Sequence, residues 1–327
     1  MPLALSDDDV RAACPLEQAI AEVEAVCHEL ADGAAMLAPR LNLTLPNGWI
    51  RLMACALPRP GVTGYKEFHL ADGEGIRYTV HLFEYASGRP LATLDARWLT
   101  ELRTGAVGGV AARALAPAQL GDVAVVGAGT QARAQLRALA AVRRLGRVRV
   151  FSPREESRSR FADELGGELG IRVEAVATLE EALAGADAVL AATNTGAAGP
   201  AFAASDLGDA RFVCSIGSTM PRQREIDPDT WAWADTIVVD SLHLLDESGD
   251  ALAARAAGVL EGRDLLELHD VVASGAGARA GRTLFKSAGT AAQDVAVAFA
   301  AYRAAVERGL GTPLPDVGSV KPPPRAR

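Results

Sequence analysis

The feature that most constrains the fold is an apolar segment that runs into closely spaced small residues. Residues 122–136 read DVAVVGAGTQARAQL, in which the first five residues predict a buried β-strand and the residues after the glycines predict a helix. Gly127 permits a tight turn, Gly129 lets the backbone approach a pyrophosphate closely, and Ala132 allows the helix to pack close to the strand. The free N–H groups at the start of the helix attract phosphate. This strand–turn–helix context predicts a dinucleotide-binding site.

The alternation of strands and helices continues along the chain. Short apolar segments predict six strands, at 122–126, 148–151, 172–176, 188–192, 211–215 and 236–240. Segments with helical periodicity separate them, and strands that are apolar on both faces indicate a parallel sheet covered by helices on two sides. The predicted fold class is therefore α/β, with a doubly wound parallel sheet over residues 117–289.

The N-terminal residues, 1–116, are organised differently. Alternating apolar and polar residues at 49–57 and 76–84 predict strands, which we expect to be antiparallel. An amphipathic helix is predicted over 15–31 by apolar residues spaced four and three apart, namely Leu16, Ile20, Val23, Cys27 and Leu30. These elements together predict a mixed α+β domain. The chain ends in the polar, proline-rich segment KPPPRAR, so residues 313–327 are expected to form a flexible tail.

Charge and composition exclude several classes of function. The formal net charge of −8 argues against a nucleic-acid or anionic-membrane partner. No segment is long and apolar enough to span a bilayer, and the N-terminus lacks the features of a signal peptide, so we expect a cytoplasmic protein. The scattered cysteines predict neither a zinc site nor disulfides: Cys14, Cys27, Cys55 and Cys214. The histidines show no metal-ligand spacing, and we predict no metal: His28, His69, His81, His243 and His269.

The end of the second predicted strand distinguishes the two nicotinamide cofactors. An Asp or Glu at this point would hydrogen-bond the ribose of NAD(H). The sequence instead reads Phe151-Ser152-Pro153-Arg154, in which Ser152 and Arg154 have the chemistry to bind a 2′-phosphate. We therefore predict NADP(H) rather than NAD(H). The alternative is that Arg154 is a solvated surface charge.

Five further segments carry a pattern of their own. They are PRLNL (39–43), VTGYKEFH (62–69), LTELRTGAVGGVAARALA (99–116), GSTMPRQREID (217–227) and TLFKSAGTAAQDVAVA (283–298). Together they resemble the ornithine cyclodeaminase and mu-crystallin family, which also contains imine reductases, ketimine reductases and some amino-acid dehydrogenases. The resemblance spans most of the chain, and it is specific because the segments RTGA, GSTMP and FKSAGTAAQD occur together.

The resemblance implies a Rossmann domain beside a substrate-binding and dimerisation domain. The Rossmann domain corresponds to residues 117–289. The other domain corresponds to residues 1–116, completed by a C-terminal helix at 290–312. We expect a homodimer joined through the N-terminal domains, because a small domain would leave part of the apolar face of helix 15–31 unburied.

The resemblance also places substrate residues in the N-terminal domain. Arg40, Lys66 and Arg103 match the basic trio that holds the carboxylate of an amino or imino acid. A guanidinium binds a carboxylate through two parallel hydrogen bonds, and a lysine beside an imine can hydrogen-bond it or exchange a proton with it. Alternatively, the two arginines are surface or helix-end charges, and Lys66 is a strand residue whose ammonium reaches solvent.

One position separates the activities within the family. Cyclodeaminases carry an aspartate two residues before the proline of the GSTMP segment, where it acts on the side-chain amine of the substrate. This chain carries Thr219, and a hydroxyl neither acts as that base nor balances the charge of an ammonium. Ketimine reductases of the mu-crystallin type carry a small hydroxyl residue there. We therefore predict a reductase in which Lys66, Arg103 and Thr219 are catalytic and, together with Arg40, bind the substrate.

The predicted function is the NADPH-dependent reduction of a small imine that carries a carboxylate, giving an amino acid. The imine is a cyclic ketimine, such as pyrroline- or piperideine-2-carboxylate, or it forms from a 2-oxo acid and an amine. Two alternatives are an NAD-dependent ornithine- or lysine-type cyclodeaminase and a ligand-binding protein with little turnover. The residues predicted to contact the cofactor are Gly127, Gly129, Thr130, Gln131, Ala132, Ser152, Arg154, Thr193, Asn194, Gly217, Ser287 and Gly289.

Overall fold

The computed structural model describes residues 1–275, 281–316 and 318, which form two eight-stranded sheets and their helices. Its strands are β1 (Leu3–Leu5), β2 (Met36–Leu37), β3 (Leu41–Leu45), β4 (Gly48–Leu57), β5 (Val62–Ala71), β6 (Gly75–Glu84), β7 (Pro90–Asp95), β8 (Gln119–Val126), β9 (Arg144–Phe151), β10 (Arg172–Ala175), β11 (Ala188–Ala191), β12 (Phe212–Ser215), β13 (Thr236–Val239), β14 (Leu265–Glu267), β15 (Thr283–Lys286) and β16 (Thr312–Pro313). Its helices are α1 (Asp7–Ala13), α2 (Leu16–Ala31), α3 (Arg97–Leu115), α4 (Thr130–Val142), α5 (Glu155–Leu169), α6 (Leu179–Leu183), α7 (Pro228–Trp233), α8 (Gly249–Ala256), α9 (Leu268–Ala273) and α10 (Ala291–Arg308).

The first sheet is mixed and contains the strands predicted at 49–57 and 76–84, which are β4 and β6. Its spatial order is β16–β1–β7–β6–β5–β4–β2, with β3 also paired to β4. The long strands β4 to β7 are antiparallel neighbours. In this sheet Lys66 of β5 lies opposite Met53 of β4 and Val80 of β6. Both flanking strands therefore place apolar side chains beside the aliphatic part of the Lys66 side chain.

The second sheet is entirely parallel, in the order β10–β9–β8–β11–β12–β15–β13–β14. It confirms the predicted α/β class with a doubly wound sheet. All six predicted strands are present, with shifts at their ends. The sequence does not predict β14 and β15. The strand β15 lies between β12 and β13 and ends in Lys286, a buried charge that interrupts the apolar pattern by which strands are recognised.

Helix α3 packs directly on helix α4, because glycines line the contact. A Cβ atom on Gly108 would overlap the side-chain amide of Gln135, and one on Gly105 would lie 2.7 Å from the carbonyl oxygen of Ala134. The Gln135 amide donates to the Thr104 carbonyl at 2.6 Å. This close packing joins the helix that carries Arg103 to the helix that follows the glycine motif.

Helix α10 returns from the second sheet to the first. It packs against β4, β5 and β6 and against α1, α2 and α3. Asp294 lies in its first turn and is completely buried. The helix therefore places a carboxylate beneath the first sheet, close to the end of the parallel sheet. The predicted division at 116/117 and 289/290 stays a prediction.

The C-terminal helix ends earlier than predicted. It stops at Arg308 rather than at 312, because Gly309 adopts a left-handed conformation (φ 65°) that terminates the helix. Residues 312–313 form β16 and pair with β1, and the Leu314 N–H donates to the Pro2 carbonyl at 2.7 Å. The beginning of the predicted tail is thus part of the first sheet. Residues 317 and 319–327 of that tail lie outside the described residues.

The apolar face of the predicted helix at 15–31 is buried within the chain. This helix is α2, and Ile20, Val23 and Cys27 are each at most 5% exposed because α2 packs against α3, α9 and α10. The expectation that its face is left for a dimer contact is therefore wrong. The large apolar side chains that remain exposed among the described residues lie elsewhere: Met1, Met36, Leu41, Leu43, Ile76, Tyr85, Leu242 and Val306.

All four cysteines are free and buried. Burial raises the pKa of the Cys14 and Cys214 thiols to about 12, so both are protonated at neutral pH. Over the described ranges, the helices are too short or too polar to cross a bilayer.

Candidate active site

A cavity of about 820 Å³ lies between the two sheets. Its walls come from the glycine motif, from the ends of parallel strands, and from β4, β5, β6 and α3 of the N-terminal part. The predicted site residues that line it are Lys66, Arg103, Gly127, Gly129, Thr130, Gln131, Ser152, Arg154, Thr193, Asn194, Gly217, Thr219, Ser287 and Gly289. Two predicted residues lie behind the wall: Ala132 is buried inside α4, and Arg40 lines a smaller neighbouring cavity.

The glycine motif has the conformation that a pyrophosphate site needs. Gly127 adopts φ +105°, and a Cβ atom there would lie 2.5 Å from the Ala192 carbonyl oxygen. Gly129 precedes α4 as its N-cap residue, without a side-chain cap on the first N–H groups. A Cβ atom on Gly129 would meet no atom within 4 Å, so its backbone borders open space. This cradle and the uncapped helix end fit the diphosphate of a dinucleotide.

A buried ion cluster forms the opposite end of the cavity. Asp294 Oδ1 lies 3.0 Å from Lys66 Nζ and 2.9 Å from Arg103 Nε. The Asp294 carboxylate is fully buried, and its Oδ2 atom has no hydrogen-bond partner in the part of the chain that the structure describes. One carboxylate therefore orients both predicted catalytic cations.

The environment of Lys66 disfavours its charged form. The ammonium is completely buried, 5.2 Å from the ring centres of Phe68 and Tyr78. Burial, reinforced by the charge of Arg103, lowers the pKa of Lys66 to about 8, although Asp294 acts in the opposite direction. A lysine with such a pKa is present in both protonation states near neutral pH, as a proton donor or acceptor requires.

Arg40 is held in place by groups of the protein. Its guanidinium forms an ion pair with Glu247 at 2.8 Å, and it donates to the carbonyl oxygens of Ala288 (3.0 Å) and Gly289. These contacts fix the loop 287–289, which lines the cavity. The predicted contact of Arg40 with a substrate carboxylate stays a prediction.

Asp240 supports the same loop from the other side. Its carboxylate accepts hydrogen bonds from the Ser287 hydroxyl at 2.6 Å and from the Gly289 N–H at 2.6 Å. Gly289 adopts φ +81°, and a Cβ atom there would overlap the Arg103 guanidinium. The glycine therefore lets the loop pass directly over Arg103.

A second buried cluster holds the loops at the ends of β11 and β12. The Glu225 carboxylate accepts from the backbone N–H groups of Thr193 at 2.5 Å and Gly217 at 2.7 Å. Lys286 Nζ lies 3.0 Å from Asp250 and 3.9 Å from Glu225. Sequence reasoning missed this cluster, although Glu225 and Lys286 lie within the quoted segments, because their function depends on strands far apart in the chain.

Sequence reasoning also missed Arg51 and Asp294. Arg51 lines the cavity and is 4% exposed. A signal was available, because Arg51 lies in phase with Met53 and Cys55, which are buried on the same face of β4. Asp294 is the last residue of the quoted segment FKSAGTAAQD, but acidic residues are common in the first turn of a helix, so this position did not identify it as the partner of Lys66 and Arg103.

Thr219 lines the cavity beside Gln223. Its N–H donates to the Gln223 side-chain oxygen at 2.9 Å, and its hydroxyl donates to the same oxygen at 3.3 Å. Its carbonyl oxygen accepts from Arg51 Nη1 at 3.4 Å. Thr219 thus connects the end of β12 with β4, where the two sheets face each other.

The tip of β9 presents Ser152 and Arg154 to the cavity. Arg158, one turn into α5, donates to the Ser152 carbonyl at 3.1 Å. Among the described residues, no acidic side chain forms an ion pair with Arg154, whereas Arg158 lies 3.9 Å from Glu155. The tip therefore carries positive charge that is free to meet a ligand.

Outside the cavity, the structure brings one histidine close to two carboxylates. Ligand atoms of Glu267, His269 and Asp270 lie within 4.8 Å of one another. Glu267 and His269 are partly exposed, Asp270 is exposed, and His269 Nε2 is 3.6 Å from Asp270. Exposed acidic groups of this kind are common at protein surfaces, and we assign no metal site to these three residues.

Residues 2–309 match the family model described as the ornithine cyclodeaminase/mu-crystallin family. The chain belongs to this family. The predicted resemblance is thereby confirmed over nearly the whole chain.

Three relatives illustrate the match. Delta(1)-pyrroline-2-carboxylate reductase of Bacillus cereus is 34% identical over 240 residues, covering 71% of this chain and 72% of the relative. The structure of the Thermococcus litoralis Delta(1)-pyrroline-2-carboxylate reductase in complex with NADH and L-proline has a TM-score of 0.89 and 31% identity, covering 95% of this chain and 100% of the other. An archaeal alanine dehydrogenase dimer with bound NAD has a TM-score of 0.87 and 29% identity, covering 95% of this chain and 98% of the other. These relatives confirm the predicted class of enzyme, an NAD(P)-dependent oxidoreductase.

Proposed function

We propose that the protein reduces a small imine that carries a carboxylate, with NADPH as the hydride donor, and so forms an amino acid. The imine is a cyclic ketimine, such as pyrroline- or piperideine-2-carboxylate, or the product of a 2-oxo acid and an amine. The observation that carries the proposal is the buried Lys66–Asp294–Arg103 cluster at one end of a cavity whose other end is the glycine motif. Pyrroline-2-carboxylate reductases among the relatives support the same chemistry.

The cluster supplies the groups that the reaction needs. A reduced dinucleotide held at the glycine motif would supply the hydride that the imine carbon accepts. The electron pair of the C=N bond moves to nitrogen, and Lys66 Nζ delivers the proton that completes the amine. Arg103 holds the adjacent carboxylate with charge-assisted hydrogen bonds. Asp294 holds both cations, so that the imine meets them already oriented.

NADPH is proposed rather than NADH because of the tip of β9. Arg154 and Ser152 border the cavity, and neither would repel a 2′-phosphate. The two solved relatives described above carry NADH and NAD. The proposed preference of this protein for NADPH therefore differs from the cofactors bound in those two structures.

The cavity wall argues against a cyclodeaminase. Among the described residues, no Asp or Glu lines the cavity, and Thr219 occupies the position two residues before Pro221. The side-chain ammonium of a diamino acid would meet Arg51 instead of an anion. A binding protein without turnover is disfavoured because a buried lysine with a lowered pKa is typical of a catalytic site.

The test is a panel of cyclic ketimines and 2-oxo acid/amine mixtures, scored by loss of NADPH absorbance. Wild-type protein should consume NADPH with at least one imine. Lys66→Ala should lose about two orders of magnitude in reduction rate, because a positioned acid is removed. Arg103→Ala should chiefly raise KM, by about 30-fold, because charge-assisted hydrogen bonds to the carboxylate are lost.

Affinity for NADPH separates chemistry from folding in this experiment. Both variants should bind NADPH as wild type does, measured by quenching of protein fluorescence, because the glycine motif lies at the other end of the cavity. Arg160→Ala, which removes an exposed cation on α5, is the matched control. A Lys66→Ala protein that reduces every imine at the wild-type rate would refute the mechanism.

A further inference from the structure

The loops that follow β11 and β12 meet at one buried carboxylate. Glu225 Oε1 accepts from the Thr193 N–H at 2.5 Å and from the Thr193 hydroxyl at 2.9 Å. Its Oε2 atom accepts from the Gly217 N–H at 2.7 Å and from the Ser215 hydroxyl at 2.6 Å. A carboxylate has about four lone-pair sites, so these hydrogen bonds use the whole group. A single side chain therefore fixes the two loops relative to each other.

The two loops also contact each other directly, because Gly217 has no side chain. A Cβ atom on Gly217 would overlap Glu225 Oε1 and the Thr193 carbonyl oxygen. Thr193 and Gly217 line the cavity, and so does Ile216, which lies between the two donors of its loop. Glu225 itself is completely buried and lies behind this part of the cavity wall. It therefore acts on a ligand only through the loops.

Buried charges hold the carboxylate of Glu225 in turn. The Glu225 N–H donates to Asp250 Oδ1 at 2.7 Å. Lys286 Nζ lies 3.0 Å from Asp250 Oδ2, and it donates to the Ser215 hydroxyl at 2.9 Å. Glu225, Asp250 and Lys286 are all completely buried. A buried network of this kind makes the surrounding backbone rigid, so it is suited to holding loops at a fixed separation.

The order of strands relates these loops to the predicted dinucleotide site. In the parallel sheet, β9 lies on one side of β8, and β11, β12 and β15 follow on the other side. The glycine motif after β8 is the predicted diphosphate site, and the tip of β9 is the predicted site of the 2′-phosphate. A dinucleotide bound in this way would place its nicotinamide half over the loops after β11 and β12. This is also the direction that brings the nicotinamide towards a substrate at Lys66 and Arg103.

We propose that Glu225 is a positioning residue, which fixes the loops after β11 and β12 so that they bind the nicotinamide half of the cofactor. The inference concerns the dinucleotide, and it rests on the proposed function only where turnover is measured. A carboxylate suits this role because it accepts charge-assisted hydrogen bonds from the N–H groups of both loops. An amide of the same shape would direct its NH₂ group at one of these donors instead of accepting from it.

The binding test compares ligands with and without nicotinamide. NADPH and 2′-phospho-ADP-ribose are titrated into the protein by calorimetry, and NADH and ADP-ribose form a second pair that makes the test independent of cofactor preference. Glu225→Gln should weaken the complete cofactors by about tenfold or more, because hydrogen bonds to a buried charge are lost. It should change the affinity for the nicotinamide-free fragments by less than about threefold, because the glycine motif and the tip of β9 belong to other strands.

Two further variants separate positioning from a loss of stability. Asp187→Asn is the matched control, because Asp187 Oδ2 accepts from the N–H groups of Gly121 at 2.6 Å and Asp122 at 3.0 Å, near the start of β8. These groups lie at the opposite edge of the same sheet, so all four affinities should stay unchanged. Gly217→Ala keeps every buried charge but displaces its loop from Glu225. It should reproduce the selective loss of the complete cofactors even if Glu225→Gln does not fold.

Turnover gives a second measurement where an imine of the panel is reduced. Glu225→Gln should raise KM for NADPH and lower kcat at saturating NADPH by about tenfold, because reacting atoms that are slightly misplaced react slowly. KM for the imine should change by less than about threefold, because Lys66 and Arg103 keep their contacts.

Two results would overturn the inference. Equal weakening of complete cofactor and fragment by Glu225→Gln would show that Glu225 supports only the fold. Wild-type affinity for NADPH and NADH in this variant would show that the loops do not depend on Glu225. If no imine on the panel is reduced, the proposed reaction fails, and the calorimetry still decides the role of Glu225. If imines are reduced but Glu225→Gln binds the cofactors as wild type does, only the present inference fails.

Discussion

Asp294 Oδ1 lies 3.0 Å from Lys66 Nζ, although 228 residues separate the two in the sequence. The same oxygen is 2.9 Å from Arg103 Nε. All three side chains are buried, and both Asp294 and Arg103 act on the pKa of Lys66, in opposite directions. The shared carboxylate therefore links the two cations at the substrate end of the cavity, and the titration of Lys66 should control the reaction.

The pH dependence of imine reduction should follow Lys66. Burial lowers its pKa to about 8, so the protonated form that acts as the acid is lost as pH rises through that value. We expect kcat/KM for a cyclic ketimine to be high below about pH 8 and to fall above it. The Lys66→Ala variant distinguishes titration of Lys66 from titration of the imine substrate. In this variant the fall of kcat/KM above about pH 8 should be absent. A limb that survives in this variant would assign the titration to another group.

Removal of Asp294 should shift that limb and weaken the fold. Asp294→Asn removes the carboxylate that raises the pKa of Lys66, so the descending limb should move to lower pH. Two buried cations then lack a partner, and the free energy of unfolding should fall by about 3–5 kcal/mol. Denaturant unfolding and the pH profile of kcat/KM measure the two effects.

The matched control for Asp294 is Asp163→Asn, the same replacement at an exposed position of α5. It should leave both the stability and the pH profile unchanged. An Asp294→Asn variant with the wild-type profile would show that the carboxylate only supports the fold. If Asp294 positions Lys66 and raises its pKa, the descending limb of the pH profile must move to lower pH in Asp294→Asn.

The parallel sheet and the cofactor turn were predictable because their signals are local. A strand, a turn with Gly127 and Gly129, and a helix lie within one short segment, and each apolar strand is recognisable by itself. The glycine pattern therefore predicts both the local structure and the ligand class.

The substrate end depends on contacts between distant segments, and this limited what the sequence could predict. Lys66 and Arg103 were identified through the family resemblance, but their partner Asp294 comes from a helix that follows the second sheet. Arg51 contains a usable signal, because a charge in phase with buried residues on a strand must have a partner or a ligand. Arg40 contains no such signal. Its ion pair with Glu247 depends on the position of a loop, which hydrophobic periodicity does not predict.

Cofactor preference should depend on Arg154. The wild-type protein should have a clearly lower KM for NADPH than for NADH, because the proposed site places a guanidinium at the β9 tip, where it would pair with the 2′-phosphate. Arg154→Ala should narrow the ratio by about tenfold, mainly through a higher KM for NADPH. Arg160→Ala, on the helix that follows Arg154 but absent from the cavity wall, should leave the ratio unchanged. Preference of the wild type for NADH would refute this interpretation of the strand tip.

We propose that the protein forms a homodimer joined through the first sheet. Leu41 and Leu43 of β3 are 54% and 50% exposed, a degree of apolar exposure that association would relieve. The archaeal alanine dehydrogenase relative is a dimer. Leu43→Lys should convert the dimer to a monomer at micromolar concentration, because an ammonium would have to be desolvated at the contact. Val306→Lys, which adds the same charge at an equally exposed apolar side chain of α10, should leave the dimer intact. Light scattering of both variants decides the matter: a monomeric wild type, or a Leu43→Lys protein that remains a dimer, would contradict an interface built on β3.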